Sequence, residues 1–240
     1  MELVEKVIIL KRISYGESDH IVSFFSRQSG RLSGIAKSAK KSQRRFGSSL
    51  EPGTVAEISF QKGKGDLVFL REAKTELASV GLSKSYNKSA VLQFFLELSL
   101  RFLPEEQVAD EKYAYMLRFL SYLQEHEPSL RDVIRYSYQW LKLCGFEPAF
   151  FECSSCQTRF DPGLQKRWVL SSDFSHLLCS SCREIEHQHD VFLMLSFFHA
   201  FRAGIKTSVD QQQAAFSLLT KHIEYILDKK LKTVQYLDFG

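Results

Sequence analysis

Four of the five cysteines form two Cys-x-x-Cys pairs, the residue pattern in this chain that is most specific for metal chemistry. Cys153 and Cys156 make the first pair, Cys179 and Cys182 make the second, and 22 residues separate the pairs. Two intervening residues let a tight turn aim both sulfurs at one point, and two such turns complete a tetrahedron of thiolates. We therefore predict one zinc ion in a ribbon-like element at residues 150–186. Four thiolates leave no open coordination position, so this ion is expected to be structural rather than catalytic.

Three other chemistries use cysteines at such spacing, and zinc is favoured over them because the motif is doubled. Disulfides need an oxidising compartment, whereas the N-terminal sequence MELVEKVIILKR has none of the three regions of a secretory signal. A redox dithiol is expected after a strand in a βαβ pattern, which neither pair follows. An iron–sulfur cluster is also compatible with four thiolates. Three nearby histidines are possible substitute ligands, and with four cysteines present we expect them at the surface: His176, His187 and His189.

A run of basic residues is the second feature with chemical consequences. Between residues 20 and 50 there is no acidic residue and there are seven basic ones: Arg27, Arg31, Lys37, Lys40, Lys41, Arg44 and Arg45. The densest part, residues 37–49, reads KSAKKSQRRFGSS, and its small and polar residues predict a mobile loop. A cationic loop beside a barrel follows a phosphate backbone and releases counterions, with little dependence on base sequence. These seven residues are the candidate nucleic-acid contacts.

The net charge of +4 conceals an uneven distribution along the chain. Residues 1–80 hold 14 basic and 9 acidic residues, whereas the remaining 160 hold 18 and 19. Such asymmetry is typical of proteins that contact nucleic acid or a membrane. A membrane fits less well, because the basic loop has no amphipathic helical period and the longest near-apolar run, 191–201, is too short to span a bilayer. We expect a cytoplasmic protein without a membrane partner.

The first 80 residues read as β structure. Apolar, β-branched segments alternate with turn-forming residues, and five short strands in this length favour a small barrel that closes its own edges. The rival architecture is an open sheet packed on the helices that follow. The predicted strands are residues 4–13, 20–26, 31–36, 54–61 and 66–72.

After residue 83 the pattern becomes helical. We predict helices over 89–103, from Asp110 onward, from Ser129 as N-cap to Gly145, over 191–202 and over 210–230. Their aromatic residues recur at helical spacing, which indicates a buried core rather than a base-stacking surface. Between the cysteine pairs, the segment WVLSSDFSHLL predicts a short pair of strands.

The chain lacks the common catalytic sequence motifs. It contains no GxxxxGK[ST] phosphate loop, no GxGxxG, no GxSxG and no HExxH. We therefore expect neither an enzyme nor a small-molecule substrate.

Several segments resemble the RecO family, bacterial recombination mediators that act in DNA repair. In the first third they are residues 15–22 (YGESDHIV), residues 30–37 (GRLSGIAK) and the turn 50–53 (LEPG). The later segment Leu141-x-Leu-x-Gly145-Phe146-x-Pro148, which leads into Cys153-x-x-Cys156, is similar to RecO members that carry a zinc site. The resemblance covers nearly the whole chain in the right order.

The resemblance implies an α+β multidomain protein: an OB-fold at residues 1–80 and a helical domain at 81–240, with the zinc-binding element inserted in the latter. It implies binding of single- and double-stranded DNA, annealing of complementary strands, and assistance in loading recombinase onto strands coated by single-stranded DNA-binding protein. The implied partners are RecR and the acidic C-terminal tail of that coating protein, in the bacterial cytoplasm at the nucleoid. By position, the implied DNA contacts are Arg31, Lys37, Lys40, Lys41, Arg44 and Arg45.

Two other functions are compatible with the same residues. A zinc-ribbon adaptor would use the basic loop to bind an acidic protein partner, and it would bind bare DNA weakly. A metallohydrolase would need an open metal position, which four cysteine ligands do not provide.

His20 stands where many RecO relatives have arginine, which leaves a weaker cation at that position.

Overall fold

The structure is a computed structural model that describes residues 2–63, 65–163, 168–171, 174, 176–182 and 191–239. By contacts it divides into two compact units. The first unit comprises Met1–Pro128 with Thr233–Asp238, and the second comprises Ser129–Lys232. Each unit is described by itself.

Five strands of the first unit form a closed barrel in the order β1-β2-β3-β5-β4, with β4 pairing back onto β1. All neighbours are antiparallel except β3 and β5, which are parallel. The closed barrel is confirmed, and the open sheet is excluded. The strands are β1 (Glu2–Tyr15), β2 (Asp19–Ser26), β3 (Gly30–Ala36), β4 (Val55–Gln61) and β5 (Leu67–Leu77).

Buried apolar side chains from all five strands form the barrel core, and the alternation of buried and exposed residues is clearest in β3. In β3 every second residue is buried, and the residues between them are partly exposed. Gly34 is required where β3 meets β5, because a Cβ atom there would lie 2.8 Å from the Val68 side chain and 2.9 Å from that of Leu70. Two residues of the segment between β3 and β4, Phe46 and Leu50, complete the core.

Two helices follow the barrel within the first unit, α1 (Tyr86–Phe102) and α2 (Asp110–Glu125). Ser85 caps α1, because its hydroxyl accepts a hydrogen bond from the Lys88 N–H at 3.2 Å. The phenylalanines of these two helices are buried as predicted, with the rings of Phe95 and Phe119 4.0 Å apart. The chain end returns to this unit, where Thr233 donates from its N–H (3.0 Å) and its hydroxyl (2.8 Å) to Glu97.

The second unit combines three helices with a small sheet. Ser129 and Asp132 form a capping box at the start of the first helix, as the sequence predicts. The strand pair predicted between the cysteines is confirmed, since β7 and β8 are antiparallel, and β6 adds to β8 in parallel. The elements are α3 (Leu130–Cys144), β6 (Ala149–Cys153), β7 (Trp168–Leu170), β8 (His176–Cys179), α4 (Phe192–Arg202) and α5 (Val209–Leu227).

The two compact units divide the chain after Pro128, because α1 and α2 belong to the same unit as the barrel. The division into domains at 1–80 and 81–240 stays a prediction. In the described part of the chain, no helix combines the length and apolar character needed to cross a membrane.

Candidate nucleic-acid interface and metal centre

The basic loop, residues 37–49, connects β3 to β4 and has a defined conformation. It begins with Ser38 in the left-handed region (φ 55°), continues as a short 3-10 helix at Ala39–Lys41, and carries the Phe46 ring into the barrel core. The loop that the sequence predicts to be mobile is anchored in the barrel core by Phe46, its one large apolar residue, which is 2 % exposed. Burying a phenylalanine stabilises the loop conformation by about 2 kcal/mol.

The β1–β2 turn holds the start of the basic loop. The Asp19 carboxylate accepts hydrogen bonds from the Ser38 N–H at 2.8 Å and from the Ser18 hydroxyl at 3.0 Å. The Lys40 N–H donates to the Ser18 carbonyl at 3.0 Å, and the Lys40 ammonium donates to the Gly16 carbonyl at 2.9 Å. The N–H of Ser38 lowers the pKa of Asp19 below its usual value. Asp19 of the GESD segment thus holds the start of the loop in place.

Arg45 stabilises the loop from inside. Its guanidinium donates to the Lys37 carbonyl at 2.8 Å and to the Ser42 hydroxyl at 3.0 Å, and it lies 5.0 Å from the centre of the Phe46 ring. Its carbonyl accepts from the N–H of Ala73 in β5 at 2.8 Å. Several donors of this arginine are therefore engaged within the protein.

The other four cations of the loop are exposed to solvent: Lys37, Lys40, Lys41 and Arg44. The Lys37 ammonium lies 5.6 Å from the centre of the Phe69 ring on β5. An exposed cation pays little desolvation when it meets a phosphate, so this group has the chemistry of a phosphate-binding surface.

Arg27 and Arg31 lie outside the loop and have acidic partners. Arg27 makes a bidentate pair with Asp110, at 3.0 and 3.2 Å, and this pair lowers the pKa of Asp110. Arg31 donates to the Leu103 carbonyl at 2.8 Å and pairs with Glu105 at 3.1 Å. Both arginines hold the barrel to the helical part of the first unit. Their role as nucleic-acid contacts stays a prediction.

His20 adds no charge to this surface at neutral pH. Burial, and then the nearby Arg12 guanidinium, lower the pKa of its imidazole below the usual 6.5. Its Nδ1 atom is buried and makes no hydrogen bond to the described residues.

The four cysteines converge on one point in the second unit. The sulfurs of Cys153, Cys156, Cys179 and Cys182 all lie within 4.8 Å of one another, and those of Cys156 and Cys179 are 3.6 Å apart. Zinc–sulfur bonds of about 2.3 Å in a tetrahedron place sulfurs about 3.8 Å apart, so this set fits a tetrahedral metal ion.

Two short strands position these sulfurs. Cys153 ends β6 and Cys179 ends β8, and a tight turn follows each of them, with hydrogen bonds of 2.9 Å from Gln157 N to Cys153 O and from Cys182 N to Cys179 O. The N–H of Cys179 also donates to the Cys153 sulfur at 3.4 Å. N–H groups directed at sulfur favour the thiolate, which is the form that binds metal.

The ionisation of the cysteines follows from these contacts. Burial raises the pKa of the Cys153 thiol, but N–H donors to its sulfur outweigh burial and lower it overall. The hydroxyl and N–H of Thr158 lower the pKa of Cys156 to about 6. Hydrogen bonding to the Cys156 sulfur raises the pKa of Cys182 to about 12. The set thus holds thiolate and thiol side by side, and a bound cation would displace the remaining protons.

Parts of the predicted zinc element, and two of the three candidate histidines, His187 and His189, lie outside the described residues. His176 is exposed at the start of β8 and does not belong to the cluster of four sulfurs.

Sequence reasoning missed a cavity of about 610 Å³ in the second unit. Aromatic and charged side chains line it, among them Tyr138, Phe151, Arg159 and Arg202. The Arg202 guanidinium lies 5.1 Å from the centre of the Phe151 ring. These residues are spread over more than 60 positions, and no local pattern connects them.

Two family models match the chain. The model described as "Recombination protein O N terminal" matches residues 1–78, and the model described as "Recombination protein O C terminal" matches residues 83–235.

Curated relatives agree with the family models over nearly the full chain. The DNA repair protein RecO of Syntrophus aciditrophicus is 28% identical, and the match covers 96% of this chain and 93% of the relative. RecO of Nocardioides sp. is 27% identical over 98% of each chain, and RecO of Desulfatibacillum aliphaticivorans is 31% identical over 96% of this chain and 94% of the relative. The barrel, the helical region, the cysteine cluster and these matches together lead to one conclusion. This chain belongs to the RecO family of DNA repair proteins.

Proposed function

We propose that this chain is a DNA-binding mediator of recombinational repair, which binds single- and double-stranded DNA and anneals complementary strands. The observation that carries the proposal is the folded basic loop, which presents four exposed cations beside a closed barrel. Family membership supports a role in DNA repair. We extend the proposal to assistance in loading recombinase onto strands coated by single-stranded DNA-binding protein.

Annealing requires charge neutralisation and proximity rather than bond chemistry. Two strands repel each other through their phosphates, and a protein that neutralises phosphates lowers this barrier. Neither step needs a nucleophile or a small-molecule substrate, so we assign no enzymatic activity. We place the protein in the bacterial cytoplasm, at the nucleoid.

The proposal assigns one zinc ion to Cys153, Cys156, Cys179 and Cys182. A tetrahedral ion at this point would fix the end of β6 against the end of β8, two strands that share few backbone pairs. All four ligands come from the protein, so the ion would supply structure rather than a reactive position.

RecR and the acidic tail of single-stranded DNA-binding protein are the proposed protein partners. We propose that an acidic tail would bind at Arg159 and Arg202, which line the cavity of the second unit beside its aromatic walls; Glu147 and Glu152 line the same cavity. The charge reversal Arg202→Glu is expected to weaken binding of an acidic tail peptide while it leaves DNA affinity unchanged.

The test of the proposed function follows duplex formation from complementary oligonucleotides over a range of salt concentrations. The wild-type protein is expected to accelerate annealing at low salt, and a variant with the four exposed loop cations Lys37, Lys40, Lys41 and Arg44 changed to Glu is expected to lose the acceleration. The matched control reverses four cations that are exposed elsewhere: Lys84, Lys206, Lys229 and Lys230.

Because both variants change net charge equally, their difference isolates the position of the charges. Equal losses in both variants would refute the basic loop as the DNA surface. A wild-type protein that neither binds bare DNA nor accelerates annealing, yet forms a complex with an acidic protein, would replace the proposal with the zinc-ribbon adaptor.

A further inference from the structure

The four cysteines of the metal centre differ in their exposure to solvent. Cys153 and Cys179, the first cysteine of each pair, end strands β6 and β8 and are 0 % exposed. Cys156 and Cys182, the second cysteine of each pair, lie in the turns that follow and are exposed. Oxidation of sulfur requires access as well as a thiolate, so a small oxidant in solvent reaches the second cysteine of each pair rather than the first.

Backbone pairing holds the buried cysteines, whereas the exposed ones lie on turns. Cys179 pairs with Trp168 across β7 and β8, and its N–H donates to the Cys153 sulfur at 3.4 Å. All four sulfurs lie within 4.8 Å of one another, so the exposed pair must close by at most about 2.8 Å to reach the bond length of a disulfide. Cys179 lies nearer to Cys156, at 3.6 Å, but its sulfur is buried and its backbone is fixed in the strand.

We propose that Cys156 and Cys182 form a site of reversible oxidation, at which a peroxide converts the two exposed thiolates into one disulfide. The inference rests on the proposed function for the metal ion of the reduced form and for the acidic tail at the cavity. Disulfide formation removes two of the four ligands and leaves fewer protein ligands than structural or catalytic zinc sites use. Oxidation is therefore expected to release the zinc, and a dithiol reductant with added zinc is expected to restore it.

The reaction balances in two steps. The Cys156 sulfur attacks one oxygen of hydrogen peroxide, so that an S–O bond forms, the O–O bond breaks and hydroxide leaves. The Cys182 sulfur then attacks the sulfenic acid at Cys156, so that the S–S bond forms, the S–O bond breaks and a second hydroxide leaves. Each hydroxide takes a proton from solvent and becomes water. The two sulfurs together lose two electrons, which the peroxide gains.

The turn that carries Cys156 leads directly into a wall of the cavity in the second unit. The Thr158 hydroxyl lies 3.2 Å from the Cys156 sulfur, and the Thr158 carbonyl accepts from the Cys153 N–H at 2.8 Å. The next two residues, Arg159 and Phe160, line the cavity. Movement of the Cys156 sulfur into a disulfide thus displaces Arg159, and oxidation is expected to weaken binding of an acidic ligand at the cavity.

The test treats the reduced, zinc-loaded full chain with a molar excess of hydrogen peroxide. A chromogenic chelator follows zinc release, and the intact mass of the metal-free product is expected to fall by two hydrogen atoms. The remaining thiols are alkylated in denaturant at mildly acidic pH, where thiol–disulfide exchange is slow, and fragment mass spectrometry locates the label. We expect label on Cys153 and Cys179 and none on Cys156 or Cys182. Cys144, which is half-buried at the end of α3, is the internal control and is expected to be labelled.

Two histidine variants separate the exposed pair of cysteines from the buried pair. Histidine is an ordinary zinc ligand beside three cysteines, so both variants are first checked for zinc in the reduced form. Cys182→His is expected to form no disulfide and to retain zinc in peroxide after wild type has lost it. Cys179→His, the matched control, keeps both exposed cysteines and is expected to release zinc like wild type. The disulfide mapped in wild type decides the site even where a variant binds no zinc.

Affinity for an acidic tail peptide reports on the cavity. The oxidised protein is expected to bind the peptide about tenfold more weakly than the reduced protein, the effect of losing one charge-assisted hydrogen bond. Its DNA affinity is expected to stay the same, because the basic loop belongs to the first unit.

The outcomes keep the two proposals apart. A reduced protein without zinc overturns the metal assignment of the proposed function, and the mapped disulfide still decides the oxidation site. A reduced protein that binds no acidic tail peptide overturns the proposed tail binding. Zinc and thiols unchanged by peroxide, or a disulfide that includes Cys153 or Cys179, overturns the oxidation site and leaves the proposed function intact. Equal peptide affinities of the reduced and oxidised protein overturn the effect of oxidation on the cavity.

Discussion

The salt dependence of DNA binding tests the basic loop quantitatively. Each phosphate of a single strand that a protein cation neutralises contributes about −0.7 to the slope of log affinity against log salt concentration. Four exposed loop cations, Lys37, Lys40, Lys41 and Arg44, therefore predict a slope of about −3. Replacement of Lys41 and Arg44 by Ala is expected to bring the slope closer to zero by about 1.4.

The loss of affinity of the double variant at a fixed salt concentration follows from the same difference in slope. We take the affinities of wild type and the double variant as equal near 1 M salt, where counterion release vanishes. The difference in slope then makes the double variant bind about 60-fold more weakly than wild type at 50 mM salt and about tenfold more weakly at 200 mM. Lys41 and Arg44 are suited to this change because both are exposed, so their removal leaves the Phe46 and Asp19 contacts of the loop intact.

The assay is fluorescence anisotropy of a labelled oligothymidine, titrated with protein at five or more salt concentrations. A slope in the double variant equal to that of wild type would refute the basic loop as the phosphate-binding surface. A slope near zero in the wild-type protein would refute an electrostatic mode of binding altogether.

The pair formed by Arg27 and Asp110 supplies an internal comparison. Changing Arg27 to Gln together with Asp110 to Asn removes both charges and keeps the net charge constant. An unchanged slope is expected if Arg27 stays paired with Asp110, and a slope closer to zero by about 0.7 is expected if Arg27 leaves Asp110 to contact a phosphate. This measurement decides between the two roles of Arg27.

Three further predictions concern the metal, the ion pair and the barrel. Metal analysis of the purified protein is expected to find one zinc ion per chain. The variant Cys156→Ser is expected to lose this ion and to unfold at a lower temperature. Full retention of zinc in the variant would contradict the assignment of Cys156 as a ligand. Because Arg27 holds the pKa of Asp110 below 3.8, the pair stabilises the fold above about pH 4 and this contribution is lost as pH falls through the lowered pKa. Wild type is therefore expected to melt above Asp110→Asn at pH 7, and the difference in melting temperature is expected to shrink progressively as the pH falls below 3.8; a constant difference would count against this pair. Gly34→Ala is expected to lower the free energy of unfolding, measured in urea, by about 1–3 kcal/mol, because the added methyl group would overlap the Val68 side chain. An unchanged urea midpoint would show that β5 can shift to accommodate the methyl group without loss of stability.

The sequence alone determined the features that depend on local patterns. Apolar, β-branched segments between turn-forming residues located all five barrel strands, capping and helical spacing located Ser129 and the helix it opens, and the doubled Cys-x-x-Cys motif located the cluster of four sulfurs. Each of these signals lies within one element or one turn, where side-chain period and backbone preference act directly.

The tertiary structure decided which of the basic residues are exposed to solvent and which bind other groups of the protein. Asp110, the partner of Arg27, is 83 residues away along the chain, and no window around residues 20–50 contains it. Phe46 looked like part of a mobile loop because its partners are barrel residues from other strands. Contacts of this kind form only when the strands close into a barrel, and a local sequence pattern does not show which distant residues then meet.

Apolar side chains on the outer face of the barrel make the same point for its surface. Ile13, Ile21, Ile35 and Phe69 stand in four separate segments, and each by itself is an ordinary residue of an amphipathic strand. Only the register of four paired strands brings them to one level, because a shift of one residue would turn each side chain to the opposite face. The sequence therefore specified the strands and the thiolates, and the closure of the barrel specified the surface they present.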